Sequence, residues 1–385
     1  MLKLALILLV IFCPLAIDLY LPAIPQMAED LNASITSIQS SITLFMLCVG
    51  LMQLFFGPLS DRFGRKKIAL VGVGTYILGS LMAAQADSVT LLLIARFIQG
   101  AGAAATFVST FALVRDNYSA NKSGQVISYL NGIVCFIPAL APVLGAWLTL
   151  TFNWQSNFYF LALFGIIGFT VLFWVLPSNK KANIQPSAPE RISYYQILTN
   201  TQFAINATIC MLAMAAILAF VAQAPNYLMT IKGLDETTFT FWFSLNAVVS
   251  ICASFIAPQL IKRSTKLALS MGLSLMLISG GLVLLVTSYS QQIPYFMAAI
   301  FIGSIGFALA LGAAAGNALA PFAKNAGKAS ALLGLMQMSG AGLLVSLSQY
   351  LPIEIPGIIA LHLIAVAPFL ALILSQKKQP ISAQT

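Results

Sequence analysis

The sequence predicts an all-α membrane protein with twelve transmembrane helices in two six-helix bundles. Hydrophobic residues make up 59% of the 385 residues and charged residues only 8%, against roughly 45–50% and 25% in a soluble domain. Twelve apolar stretches approach the roughly 20 residues that cross a bilayer. Positive charges fill alternate gaps between those stretches, as expected of a chain that crosses the membrane repeatedly.

The predicted spans are bounded by charged residues, prolines or Asn and Asp turns. In order, they cover residues 3–24, 37–59, 68–86, 89–114, 124–150, 155–176, 202–224, 238–260, 267–287, 293–316, 329–350 and 355–375. The longest gap, 177–201, is rich in Lys and Pro and is predicted to be a cytoplasmic linker. It separates an N-terminal bundle (1–176) from a C-terminal bundle (202–375), and residues 376–385 form a tail.

The distribution of charge predicts the orientation. Of the 19 Lys and Arg residues, all except Arg96 and Lys232 lie at the chain ends or in even-numbered gaps. Odd-numbered gaps carry acids instead, namely Glu29, Asp30, Asp87, Asp235, Glu236 and Glu354. Because Lys and Arg collect on the cytoplasmic side, both termini are predicted to be cytoplasmic.

The two halves show signs of an internal repeat. A shift of 200 residues aligns Pro25 with Pro225, Pro58 with Pro258, Arg62 with Lys262 and Lys66 with Lys266. Parallel repeats of six spans are expected to be related by an axis along the membrane normal.

Composition also excludes several classes of function. The net charge of +9 is spread over short gaps and forms no basic patch, so we expect no nucleic-acid binding. The chain contains no GxxxxGK[ST] run for ATP, and its five cysteines and one histidine lack the spacing of a zinc site. No cofactor is expected, and an ion gradient is predicted to supply the energy.

The gap between spans two and three carries a distinctive motif, Gly57-Pro-Leu-Ser-Asp-Arg-Phe-Gly64-Arg-Lys-Lys67. It resembles the loop signature of the major facilitator superfamily, which implies that family's fold. Gly57 would allow close helix approach and Gly64 a tight turn. The resemblance implies a charge cluster that latches the two halves in one state, formed by Asp61, Arg62 and Arg65 with Arg115 or Asp116 after span four. The charges alone would suit any short cytoplasmic loop.

A second motif, Ile17-Asp18-Leu19-Tyr20-Leu21-Pro22, resembles the first span of the bicyclomycin/chloramphenicol-resistance branch of drug:proton antiporters. A charged Asp at the centre of a span costs roughly 2.5–3.5 kcal/mol, so such a residue suggests function. Pro22 has no N–H and leaves the Asp18 carbonyl without its helical donor. Asp18 is predicted to bind protons or substrate; the alternative is a structural acid paired permanently with a cation.

Arg96 is the one cation deep in a span, within a segment similar to the family's fourth-span motif. Because Arg keeps its proton, we expect Arg96 to tune a neighbouring carboxylate such as Asp18. A purely structural buried Arg is the alternative.

Span five resembles the antiporter motif of drug exporters, although alanines replace two of its glycines. The kink residues are Pro138, Ala141, Pro142 and Gly145. Two prolines four residues apart are expected to bend the helix, and the Ala141 and Gly145 positions allow close approach of a second backbone.

Other polar residues in spans are candidates for a substrate cavity. They are Tyr20, Asn131, Gln223, Asn226, Tyr227, Asn246 and Gln337. The alternative for the second-half residues is interhelical hydrogen bonding. His362, in the last span, is expected to be structural.

These features together predict a secondary transporter in a bacterial cytoplasmic membrane. It would act as a monomer and export lipophilic small molecules of the chloramphenicol kind in exchange for protons. The first alternative is a proton-coupled sugar or metabolite transporter, exporter or importer, on the same fold. The second is a membrane-embedded enzyme or a channel, but no nucleophile and base pair or acidic ring supports either.

Overall fold

The computed structural model describes residues 2–118, 120–176, 192–290 and 292–375. Within these ranges, the side chains of residues 115, 120–125, 127–129, 131, 132, 135 and 323–327 are not described. Residues 177–191 of the predicted linker and the predicted tail, 376–385, also lie outside the described residues.

The described chain forms twelve successive helical segments, named here spans one to twelve. The first six are Leu2–Asp30, Ile35–Phe63, Arg65–Ala84, Val89–Asn117, Ala120–Thr151 and Gln155–Val175. The last six are Thr201–Ile231, Glu236–Arg263, Thr265–Tyr289, Ile293–Leu319, Lys328–Ser348 and Ile355–Ser375. A short helix, Tyr194–Leu198, precedes span seven.

Eleven helices of the described chain are long and apolar enough to cross a membrane. The remaining one, span five, contains a shorter apolar helix, Phe136–Thr151, inside the longer helix Ala120–Thr151. The predicted all-helical architecture with twelve spans is therefore confirmed.

Four spans of the described chain contain irregular turns. One is span twelve, which breaks at residues 365–366, between the helices Ile355–Ile364 and Ala367–Ser375. Span one breaks after Asp18 and resumes through a short 3₁₀ turn, Leu21–Ala23. Span seven ends in a π-helical segment, Pro225–Ile231, and span eleven contains another at Met336–Gly340. Pro22 lies in the turn of span one, and Pro225 begins the π-helical segment of span seven. Because proline lacks the N–H donor of a regular helix, it accounts for the irregular hydrogen bonding around these two sites.

Contacts between spans repeat from one half of the chain to the other. Span three packs on four and six, as span nine packs on ten and twelve. The two halves meet along two seams, where span five packs on eight and span two on eleven. Exchanging the halves converts one seam into the other, which is the arrangement expected of two parallel repeats.

Close glycine contacts show the same repeat at atomic detail. A Cβ atom on Gly72 would lie 2.9 Å from the carbonyl oxygen of Gly102, and one on Gly272 would lie 2.8 Å from that of Gly306. Gly72 and Gly272 are 200 residues apart, the shift found in the sequence. Small residues thus bring spans three and four, and spans nine and ten, into backbone contact.

Candidate functional site

Asp18 lies at the break in span one. It is the last residue of the helix Leu2–Asp18, and its side chain is only 4% exposed. Within the described residues, no hydrogen bond or ion pair within 4.0 Å holds its carboxyl group. The permanent pairing with a cation that the sequence left open is therefore not found in this conformation.

Gly145 of span five packs directly against this break. A Cβ atom there would overlap the carbonyl oxygen of Leu19. Only a glycine fits so close to the backbone of Leu19. Gly145 therefore lets span five pack against span one next to Asp18. Pro138 and Pro142 lie within the continuous helix Ala120–Thr151, and Ala141 is buried.

Arg96 is completely buried in span four. Its guanidinium carbon lies 4.9 Å from the ring centroid of Tyr20 and 4.3 Å from that of Phe45, which are cation–π distances. Its Nη1 donates to Gln99 Oε1, and Gln99 Nε2 donates to Ser80 Oγ at 2.8 Å. The Nε and Nη2 atoms of Arg96 have no partner among the described residues.

Asp18 and Arg96 thus belong to one buried cluster without forming an ion pair. The thiol of Cys13 lies within electrostatic range of both. Tyr76, whose buried hydroxyl lacks a described partner, lies within range of Arg96 and Cys13. The cluster combines one acid, one cation and several unsatisfied polar atoms, so it has the groups needed to take up a proton or a polar ligand.

Sequence reasoning missed the side chains that hold Arg96. Gln99 follows Arg96 by three residues and so shares its helix face, a signal that was available. Phe45, Ser41 and Ser80 reach the cluster from other spans, and no local pattern marks them.

Tyr20 does not line an open cavity in this conformation. Its side chain is fully buried, and its hydroxyl is hydrogen-bonded to Ser41 Oγ at 2.7 Å. The expected role as a cavity wall is therefore not seen, and Tyr20 instead joins the cluster around Arg96.

Apart from Asn131 of span five, the other predicted cavity residues are spread over the second half. Gln223 and Tyr227 are buried in span seven, and Asn226 is partly buried. Asn246 accepts a hydrogen bond from Ser304 Oγ at 2.8 Å. Gln337 lies partly buried in the π-helical turn of span eleven, and the side chain of Asn131 is outside the described part of the chain.

Two cavities formed by described residues do not contain these predicted side chains. One, of about 440 Å³, is lined by Pro25, Ala28, Glu29, Asn32, Ala33, Ile35 and Thr230. The other, of about 270 Å³, is lined by Ser40, Thr43, Leu44, Leu47, Leu93, Gly342, Leu343, Ser346, Gln349 and Tyr350. The substrate cavity expected from the sequence thus stays a prediction.

The predicted latch is organised around Arg65. Its Nη1 lies 2.5 Å from Asp61 Oδ1, and its Nε donates to Asp116 Oδ2 at 2.8 Å. Arg62 is exposed and lies over the ring of Phe63 instead. These ion pairs join spans two, three and four of the same half, whereas the resemblance implied a contact between halves; the side chain of Arg115 is not described.

The two glycines of the loop motif differ. Gly64 has φ of +94°, which few other residues adopt, and separates spans two and three. A Cβ atom on Gly57 would meet no described atom within 4 Å. The close helix approach expected at Gly57 is therefore not found in this conformation.

His362 forms a contact between the last two spans. It is buried, and its Nε2 lies 2.9 Å from Ser348 Oγ. This hydrogen bond gives the buried imidazole a partner, in keeping with the structural role expected of His362.

Comparisons with known proteins identify the family. Residues 6–374 match the Major Facilitator Superfamily. The multidrug resistance protein MdtL of Salmonella paratyphi A is 34% identical over 350 residues, covering 90% of this chain and 87% of the relative. MdtL of Klebsiella pneumoniae is 34% identical over 343 residues, covering 88% and 86%. A crystal structure of a D-xylose-proton symporter superposes with a TM-score of 0.78 at 14% identity, covering 96% of both chains, and so shares the fold. The chain therefore belongs to the Major Facilitator Superfamily and is a multi-pass membrane transporter of small molecules rather than an enzyme.

Proposed function

We propose that this transporter exports lipophilic small molecules in exchange for protons, with Asp18 as the group that takes up and releases the proton. The observation that carries the proposal is the buried Asp18 carboxyl, which has no described cation partner. A charge at such a site is costly, so the group is expected to exchange a proton as the protein opens to each side. The names of the MdtL relatives support a drug as the substrate.

The membrane potential distinguishes neutral from cationic substrates. Exchange of one proton for a neutral drug moves a net charge inward and gains roughly 2.3 kcal/mol per 100 mV. Exchange for a monovalent cation is electroneutral, and only the pH difference then drives export. We propose neutral or weakly charged drugs of the chloramphenicol kind.

The proposed arrangement in the cell follows from the charge pattern. Segments 1–176 and 202–375 would move as two units joined by the linker 177–201, with both termini in the cytoplasm of a bacterium. The protein would act as a monomer. Reporter fusions at each gap test the orientation, and mass measurement in detergent tests the oligomeric state.

A drug-susceptibility panel in an efflux-deficient bacterium tests the function. Expression of the wild type is expected to raise resistance to at least one lipophilic compound, and Asp18→Asn is expected to abolish that gain at equal protein level. Asp87→Asn, at an exposed acid between spans three and four, is the matched control and should behave like the wild type. Full resistance with Asp18→Asn would remove Asp18 from the mechanism. No protection by the wild type, with proton-coupled sugar or metabolite uptake in proteoliposomes, would favour the alternative transporter.

A further inference from the structure

We propose that Tyr20 is the positioning residue that couples Asp18 to Arg96; this inference rests on the proposed function of Asp18. The two charged groups form no direct ion pair in this conformation. Tyr20 follows Asp18 by two residues, and its ring lies against the guanidinium group of Arg96. Tyr20 is therefore linked to Asp18 through the backbone and to Arg96 by a cation–π contact.

The ring of Tyr20 forms one wall of an aromatic cage around Arg96. Phe45 of span two provides another ring, 4.3 Å from the guanidinium carbon. Arg96 is fully buried, and water does not compete for its charge, which strengthens attraction to the aromatic faces. The cage holds Arg96 while leaving its Nε and Nη2 donors without a described partner.

Tyr20 itself is held on two further sides. Its hydroxyl bonds to Ser41 Oγ at 2.7 Å, and its ring centroid lies 5.2 Å from that of Phe158 on span six. A ring fixed by three neighbouring spans cannot swing away from Arg96 on its own. Any displacement of Tyr20 must follow its backbone.

That backbone is where span one is irregular. Tyr20 lies between the helix ending at Asp18 and the turn Leu21–Ala23, with φ of −97° and ψ of 5°. Its carbonyl accepts from Ala23 N at 3.0 Å. A change of charge at Asp18 would thus reach the Tyr20 ring through two residues of non-helical chain. When Asp18 gives up its proton, its carboxylate attracts the Nε and Nη2 donors of Arg96, which have no partner among the described residues. The Tyr20 ring then limits how far the guanidinium group moves.

Among the described residues, few ionisable groups lie near this cluster. Those within electrostatic range are Cys13 on span one, Tyr76 on span three and Arg96 on span four. Spans five and six bring no charged residue between 136–151 or 155–175, and spans two and eight carry charges only near their ends. A response of Tyr20 to pH is therefore attributable to Asp18 once these thiol and phenol groups are controlled for.

Infrared difference spectroscopy of the purified protein tests the coupling without requiring transport. Stepping the pH should change the carboxyl band of Asp18 and a tyrosine ring band together. In Asp18→Asn, neither the carboxyl band nor the tyrosine ring band should change with pH. In Tyr20→Phe, the carboxyl band should still change, and the change in the tyrosine ring band should be lost. Cys13→Ser and Tyr76→Phe should preserve the joint change. Tyrosine bands that stay constant while Asp18 titrates would overturn the proposal.

Transport measurements separate positioning from simple packing. Tyr20→Leu, which removes the aromatic face, should lower proton-driven export about tenfold and change its pH profile. Tyr20→Phe, which keeps the aromatic face without adding volume, should keep the wild-type profile. Tyr159→Leu, at a 48% exposed tyrosine of span six, is the control expected to match the wild type. A wild-type pH profile in folded Tyr20→Leu would contradict the proposal. Linked infrared bands in a protein that exports no drug would contradict the proposed function and support the coupling.

Discussion

Ser339 Oγ donates a hydrogen bond to the carbonyl oxygen of Leu47 at 2.8 Å, joining span eleven to span two across the two halves of the transporter. Gly50 lies at the same crossing, where a Cβ atom would overlap the Ser339 side chain and lie 2.7 Å from its backbone nitrogen. The seam is closed here by backbone contact. Alternating access requires such contacts to form in one state and separate in the other.

Gly50→Ala is expected to disfavour this closed seam. The added methyl group meets backbone as well as side chain, and overpacking of this kind costs roughly 1–3 kcal/mol, a shift of roughly 5- to 150-fold in the equilibrium. Spin labels on spans two and eleven should show the closed distance depleted. Gly57→Ala, in the same helix but with free space around it, should leave the distances unchanged; equal effects of the two substitutions would contradict the prediction.

Gly145→Ala is expected to disturb the break beside Asp18. Its methyl group would occupy the position of the Leu19 carbonyl oxygen, which belongs to the backbone and cannot rotate away. We expect a loss of roughly 1–3 kcal/mol in stability and a loss of drug export. Thermal unfolding measures the loss of stability, and the drug-susceptibility panel measures the loss of export. Gly74→Ala, in a helix position with no atom within 4 Å, is the control, and a Gly145→Ala protein as stable and active as that control would contradict the packing described.

The sequence was sufficient for the spans because hydropathy and alternating charge are properties of each segment alone. It also singled out Asp18 and Arg96, since ionisable residues within apolar spans stand out. Both are buried in the structure, and their roles stay predictions. The sequence did not show that Tyr20 and Phe45, rather than Asp18, contact Arg96, because those contacts depend on how spans one, two and four pack. The Ser339 contact had no local signal either, since a serine in an apolar helix is common.

The loop between spans two and three shows the same limit. The motif predicted a charge cluster, but it did not show which arginine is at its centre. The turn at Gly64 and the packing of spans two, three and four place Arg65 between Asp61 and Asp116, while Arg62 is exposed. Residue type alone does not distinguish two arginines three positions apart.

Arg65→Met is therefore expected to have a larger effect than Arg62→Met. It removes both ion pairs and the hydrogen bond from Nη1 to Ser60 Oγ. Because the side chain of Asp61 is 58% exposed, that pair is worth at most about 1 kcal/mol, and the less exposed Asp116 is expected to contribute more. Thermal unfolding at low and high salt compares the two variants. Equal destabilisation would show that Arg65 is not the centre of the cluster.

Lys66 is expected to stabilise the end of span six. Its Nζ donates to the carbonyl oxygens of Phe173 and Leu176, at 2.7 and 2.9 Å. These are carbonyls at the C-terminus of a helix, where a cation also interacts favourably with the helix dipole. Lys66→Met keeps the length of the side chain but loses both bonds, so the free energy of unfolding should fall by about 1–2 kcal/mol. Lys66→Arg retains the charge and should lose less. Lys67→Met removes the same charge from an exposed neighbour and should change the unfolding temperature little. If Lys66→Met and Lys67→Met lower it equally, the effect comes from loop charge alone and the two carbonyl contacts contribute nothing.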